Sequence, residues 1–157
     1  MTTRVTGGCA CGRIRFDVQL PEQPHAYLCH CRMCQRASGN VSLAMVGVRQ
    51  GDVRWSREPD WYRSSPIAQR PFCSNCGTSL GFRYDNLGQG VPPTEKMDLT
   101  VAAFDDPSIF KPQSHFGAES MHRAWLNTEG LPETRSDEYP ALVQRWEKAA
   151  ASPEGSA

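Results

Sequence analysis

Cys29-His30-Cys31-Arg32-Met33-Cys34 packs three cysteines into six residues, and two shorter clusters, Cys9-Ala10-Cys11 and Cys73-Ser74-Asn75-Cys76, hold the other four. None of the seven lies outside these clusters. Thiolates one or two residues apart can turn their sulfurs toward a single cation at the ~2.3 Å distance that zinc prefers. Gly7, Gly8, Gly12 and Gly77 flank the clusters and suit the tight turns such knuckles need. The spacing therefore reads as metal chemistry.

Disulfides are the competing explanation, and the odd count weighs against them because one thiol would stay unpaired. At 157 residues and 39% hydrophobic composition, the chain can bury a core without covalent staples, unlike small secreted domains. The N-terminal MTTRVTGG carries no apolar run of signal-peptide length, and no stretch approaches the ~18 apolar residues of a membrane span. A cytoplasmic protein with no membrane partner is expected. Seventeen basic residues balance seventeen acidic ones, so no net field attracts a phosphate backbone, and nucleic acid is not expected as a partner. Arg32, Arg36, Arg54, Arg57 and Arg63 read as solvated surface.

Ile14, Phe16, Val18 and Leu20 alternate with polar residues, the period of a strand with one buried face. Val41-Leu43-Met45 and Val53-Trp55 alternate similarly around Gln50-Gly51-Asp52 and read as a hairpin. Further strand signal lies at Leu80 to Tyr84 and from Met97 to Ala103, stopped by Asp105-Asp106-Pro107. Helical signal is confined to Cys31 to Ala37, Glu119 to Leu126, and Pro140 to Ala150, where Pro140 suits an early helical position. The expectation is one mainly β domain over residues 1–150, with the cysteine clusters in its turns and a disordered tail over 151–157.

Structural zinc sites are closed by four protein ligands, whereas catalytic ones keep three and leave a position open. Seven divides as four plus three. All of Cys29, Cys31 and Cys34 can reach one ion, which leaves Cys9, Cys11, Cys73 and Cys76 as two complementary pairs. The four would tie distant segments together. The three would leave room for an exogenous soft ligand such as a thiol, which ionises on binding and so becomes the nucleophile. His30 sits between two ligands, but neighbours in extended chain point to opposite sides, so it reads as packing or hydrogen bonding rather than ligation. His115 and His122 are more distant candidates for proton transfer.

Gly8-Cys9-Ala10-Cys11-Gly12, Cys29-His30-Cys31-Arg32-Met33-Cys34-Gln35-Arg36 and Phe72-Cys73-Ser74-Asn75-Cys76-Gly77 together resemble the glutathione-dependent formaldehyde-activating enzyme family, which includes the centromere protein V-like proteins. The resemblance extends over roughly residues 5–132. It implies a β-tent fold of short strands with a few short helices. It also implies two zinc ions per chain, structural at Cys9, Cys11, Cys73 and Cys76 and catalytic at Cys29, Cys31 and Cys34. The implied activity is that of a carbon-sulfur lyase, joining glutathione, or another small thiol, to formaldehyde or a related carbonyl. Arg32 and Arg36 are candidate clamps for glutathione's carboxylates. Two other readings stay open: a structural or interaction module whose three-cysteine site is completed by His30 or another side chain, and a thiol-redox-responsive protein.

Overall fold

The structure is a computed structural model that describes residues 3–85, 95–132 and 134–151. Contacts group the chain into two compact units, Met1–His122 and Arg123–Ala157. All the described strands belong to the first: β1 (Thr3–Gly8), β2 (Arg15–Leu20), β3 (Ala26–Cys29), β4 (Leu43–Arg49), β5 (Val53–Trp55), β6 (Asp60–Ser65), β7 (Ala68–Phe72), β8 (Gly81–Tyr84), β9 (Lys96–Thr100) and β10 (Pro112–Phe116). One helix, α1 (Arg32–Ser38), joins β3 to β4. The mainly β architecture expected from the alternation is the one observed.

Two sheets result. The smaller has the order β1-β2-β5, and the larger runs β10-β3-β4-β9-β8-β7-β6, antiparallel throughout except where β10 pairs parallel with β3. In β2 the period-2 pattern holds as expected: Phe16, Val18 and Leu20 are buried while Arg15, Asp17 and Gln19 are not. These side chains pack with Val46 and Val48 of β4, Met97 and Leu99 of β9, and Phe104, forming the main core between the sheets. Burying such side chains contributes about 1.5–3 kcal/mol each.

The opposite face of β4 carries Leu43 and Met45, which form a second cluster with Cys29 and Cys34. This strand is thus covered on both sides. The expected hairpin between residues 41–45 and 53–55 does not form. Both edges of β4 are occupied, by β3 and β9, and after a 3-10 turn at Gln50–Asp52 the chain crosses to the smaller sheet, where β5 pairs with β2. The strand expected to run to Ala103 ends at Thr100 and continues as a 3-10 turn.

In the second unit, 3-10 turns at Arg123–Trp125 and Ser136–Glu138 precede α2 (Pro140–Ala151), which starts on Pro140 as expected. The helical signal around residues 119–126 corresponds to two separate 3-10 turns, one in each unit. Ala151 closes α2, and residues 152–157, where disorder is expected, lie outside the described residues. No helix among the described residues is long and apolar enough to cross a membrane.

Candidate metal centres

The turn between β1 and β2 brings Cys9 and Cys11 against the turn that follows β7, where Cys73 and Cys76 lie. Their four sulfurs all fall within 4.8 Å of one another. Cys9 and Cys11 are 3.6 Å apart at sulfur, and Cys11 and Cys73 3.8 Å. A tetrahedron with ~2.3 Å zinc-sulfur bonds has edges of about 3.8 Å, whereas a disulfide needs about 2.05 Å. The quartet thus has the dimensions of a closed tetrahedral thiolate site.

Backbone and side-chain donors hold it open. The Ile14 N–H donates to Cys9 Sγ at 3.2 Å, and the Thr78 hydroxyl accepts from the Ala10 N–H at 3.1 Å while lying 3.1 Å from Cys76 Sγ. Hydrogen bonding to Thr78 lowers the Cys76 thiol to about 5, whereas burial raises Cys73 to about 11. A cation would therefore meet thiols that are already partly ionised at neutral pH.

The second group stands where β3 runs into α1. Cys29 ends the strand, Cys31 caps the helix through its sulfur, which accepts from the Cys34 N–H at 3.4 Å, and Cys34 lies in the first turn. Cys29 and Cys31 are 3.6 Å apart at sulfur, again a tetrahedral edge. Among the described residues, no fourth His, Cys, Asp or Glu brings a ligand atom within 4.8 Å of all three. His30 points elsewhere: it is fully buried, with Nε2 2.9 Å from His115 Nδ1. Both groups of cysteines can hold a metal ion. They differ in that the trio has no fourth such ligand among the described residues.

All three cysteines of the trio line a cavity of about 440 Å³ whose walls follow from the sheet register. Tyr27 lies opposite Met45, Asp98 opposite Phe82, and Ala68 opposite Tyr84, so one face of the larger sheet supplies an apolar wall with a single carboxylate in it. Phe116 of β10 and Met33 of α1 complete the lining. Arg70, two residues along β7 from Ala68, is 4% exposed and donates through Nη2 to Cys34 Sγ at 3.3 Å. Its guanidinium also stands 5.0 Å from the centre of the Phe82 ring. The Cys34 thiol is lowered to about 5, first by a hydrogen bond from Cys29 and then, against burial, by Arg70. Cys29 is correspondingly pushed up, by its bond to Cys34 and by burial. Without a cation this centre ionises one thiol and keeps another protonated.

Arg70 and Met33 are shared with a neighbouring cavity of about 600 Å³, which Arg36 also lines. Of the two expected clamps, Arg36 lines this cavity, whereas the Arg32 guanidinium donates to Gln35 Oε1. His115 and His122 line neither cavity. Arg70, Tyr27 and Asp98 were not singled out by their sequence context, although Arg70 lies only three residues before Cys73.

Gly117 supports the trio from outside, at the end of β10, with φ +67°. A Cβ there would stand 2.7 Å from the Cys31 backbone nitrogen. Gly117→Ala should cost about 1–3 kcal/mol through the left-handed backbone, and should displace Cys31 as well. The expected result is a lower melting temperature and loss of metal from the trio while the quartet keeps its ion. Metal analysis and calorimetry check this, and unchanged values for both would contradict it.

Residues 4–120, within the first unit, match the family profile described as glutathione-dependent formaldehyde-activating enzyme. An uncharacterized lyase of Schizosaccharomyces pombe is 34% identical over 80 residues, which make up 51% of this chain and 58% of that protein. The chain thus spans somewhat under two thirds of the length of this curated relative. Since the profile match runs through both cysteine centres and every strand that shapes the cavity, the chain belongs to the glutathione-dependent formaldehyde-activating enzyme family.

Proposed function

We propose that this protein is a zinc-dependent enzyme of carbon-sulfur lyase type. It would hold one zinc at Cys9, Cys11, Cys73 and Cys76 for folding, and a second at Cys29, Cys31 and Cys34 for chemistry. The reaction is the reversible joining of a small thiol, glutathione in the first instance, to formaldehyde or a related carbonyl. Family membership and the relative's name as a lyase support this class of activity. The observation that carries the reading is a three-cysteine centre that lines a cavity with apolar walls. Zinc bound there would favour the thiolate form of an incoming thiol at neutral pH.

The chain's own residues would do the rest. Cys29, Cys31 and Cys34 fix the sulfur's position, and Arg70 balances negative charge beside Cys34. Tyr27, Met45 and Phe82 exclude water around the carbonyl carbon. A cytoplasmic setting, where thiols stay reduced, suits seven metal-binding cysteines.

Cobalt substitution with glutathione titration tests the reading. The expected result is a stronger sulfur-to-cobalt charge-transfer band from a fourth thiolate, with release of a proton near pH 7, because free thiols with pKa about 8.5 are mostly protonated there. A spectrum unchanged by glutathione and other small thiols in trio-loaded protein would make the site structural. A spectral response without acceleration of adduct formation above the solution rate would leave the thiol site standing and remove formaldehyde as its partner.

A further inference from the structure

Joining a thiolate to a carbonyl puts negative charge on oxygen, so the site needs a group that can give a proton and take it back. Among the described residues lining the trio's cavity, Asp98 is the one carboxylic acid. It sits on β9 between the buried Met97 and Leu99, and its side chain projects from the opposite face of the sheet. Gly47 lies directly across on β4, and even a Cβ there would stand only 3.5 Å from Asp98 Oδ1.

The surroundings raise the pKa of Asp98 above the usual carboxylate value. Burial is the main cause, opposed by the Tyr27 hydroxyl, which donates to the carboxyl, and reinforced by negative charge on Cys34. Lys96 and His25 act weakly in the opposite sense. The other polar groups facing the cavity do not fit the role. Arg70 does not release its proton, and burial drives the Tyr27 hydroxyl upward, away from neutral pH. The expected histidines lie elsewhere, and the Nδ1 of His115 is engaged with His30.

We propose that Asp98 is the proton-transfer residue of this site, acting on the oxygen of a hemithioacetal formed from a small aldehyde. The proposal rests on the function proposed above. As the sulfur held at the trio attacks the carbonyl carbon, the carbon-sulfur bond forms and the π pair of the carbonyl moves to oxygen. The Asp98 carboxyl gives that oxygen its proton and becomes a carboxylate. In the reverse direction, Asp98 takes the proton from the hydroxyl as the carbonyl reforms, and the carbon-sulfur bond breaks with its electron pair returning to sulfur.

The test compares zinc-loaded full-length wild type, Asp98→Asn and Asp98→Glu by exchange NMR of formaldehyde and glutathione with S-(hydroxymethyl)glutathione. Asp98→Asn should fold. Because folding raises the Asp98 pKa, the ionised carboxylate opposes folding above its unfolded value, so the amide should melt no lower than wild type at pH 7. Asp98→Asn should lose about 100-fold or more of the protein-dependent exchange rate, and Asp98→Glu should recover part of it. The cobalt charge-transfer band with glutathione should be unchanged in Asp98→Asn. The carboxyl carbon of Asp98, followed by NMR, should titrate above the ordinary aspartate value of about 3.9, in step with the wild-type rate profile. Wild-type exchange with undiminished exchange in Asp98→Asn would overturn the proposal and leave the thiol site intact. Loss of the glutathione band in Asp98→Asn would overturn it by making Asp98 part of thiol binding. If wild type binds glutathione but does not accelerate exchange, the proposed reaction and this role for Asp98 fall together.

Discussion

Cys76→Ser is expected to unfold the β unit, although Cys76 is exposed and its replacement removes almost no packing. The quartet joins two turns that lie 62 residues apart between Cys11 and Cys73, and those turns connect strands of the two different sheets. Structural zinc binds thiolate sites with about 10–16 kcal/mol, and that energy counts as folding energy because the site does not exist in the unfolded chain. A domain of this size is stable by only about 5–15 kcal/mol. Weakening the quartet by one ligand should therefore consume most of the margin. The measurement is far-ultraviolet circular dichroism with thermal melting in the presence of zinc, and a melting temperature within about 3 °C of wild type would contradict the assignment, since 1 kcal/mol corresponds to about 2–4 °C at this length. Removing zinc with a strong chelator should reproduce the effect in wild type.

The quartet and trio could be read from sequence because their members lie one or two residues apart, and local spacing is what a linear text preserves. The same holds for β2, where Phe16, Val18 and Leu20 face the core and their neighbours do not. The reading failed where two faces are buried. In β4, Leu43 and Met45 turn to the trio while Val46 and Val48 turn to the main core, so apolar residues occur on both phases and say nothing about pairing partners. It failed again in β10, whose five residues are all exposed and carry no alternation at all.

Asp98 shows the subtlest failure. Met97-Asp98-Leu99 alternates cleanly, and period-2 logic assigns the aspartate to solvent. The register instead places it on the face that lines the cavity together with Met33 of α1 and Phe116 of β10, so the polar phase of that strand opens into a cavity. Arg70 was hidden for a related reason, since its partner Cys34 lies 36 residues away and only the fold brings them together. The two cysteine groups were legible because candidate metal ligands lie close together in sequence. The groups that tune them were not, because they act across strands.

Arg70→Met separates charge from packing at the trio. Three thiolates on a dication carry a net charge near minus one, and Arg70 is the cation whose Nη2 meets Cys34 Sγ. Its Nε and Nη1 are buried with no hydrogen-bond partner among the described residues, so the guanidinium's cost of burial is offset chiefly by that sulfur and by the Phe82 ring. Methionine fills similar space without charge. With metal bound, the substitution leaves an anionic centre without its counter-ion, and zinc affinity at the trio should fall about 10–100-fold, the usual effect of losing a group that supports metal ligands. The quartet should be untouched. In metal-free protein the same substitution leaves the ionised Cys34 without its cation, so stability at neutral pH should fall there as well. Selective loss of zinc affinity at the trio is the diagnostic, because a residue that merely filled space would lower stability without changing metal affinity. Arg70→Lys, which keeps the charge but loses the planar fork, should fall between. Chelator competition for zinc release measures the first quantity and denaturant melts of metal-free protein the second. Equal chelator resistance in Arg70→Met and wild type would remove Arg70 from the electrostatics of the trio and leave it a packing residue.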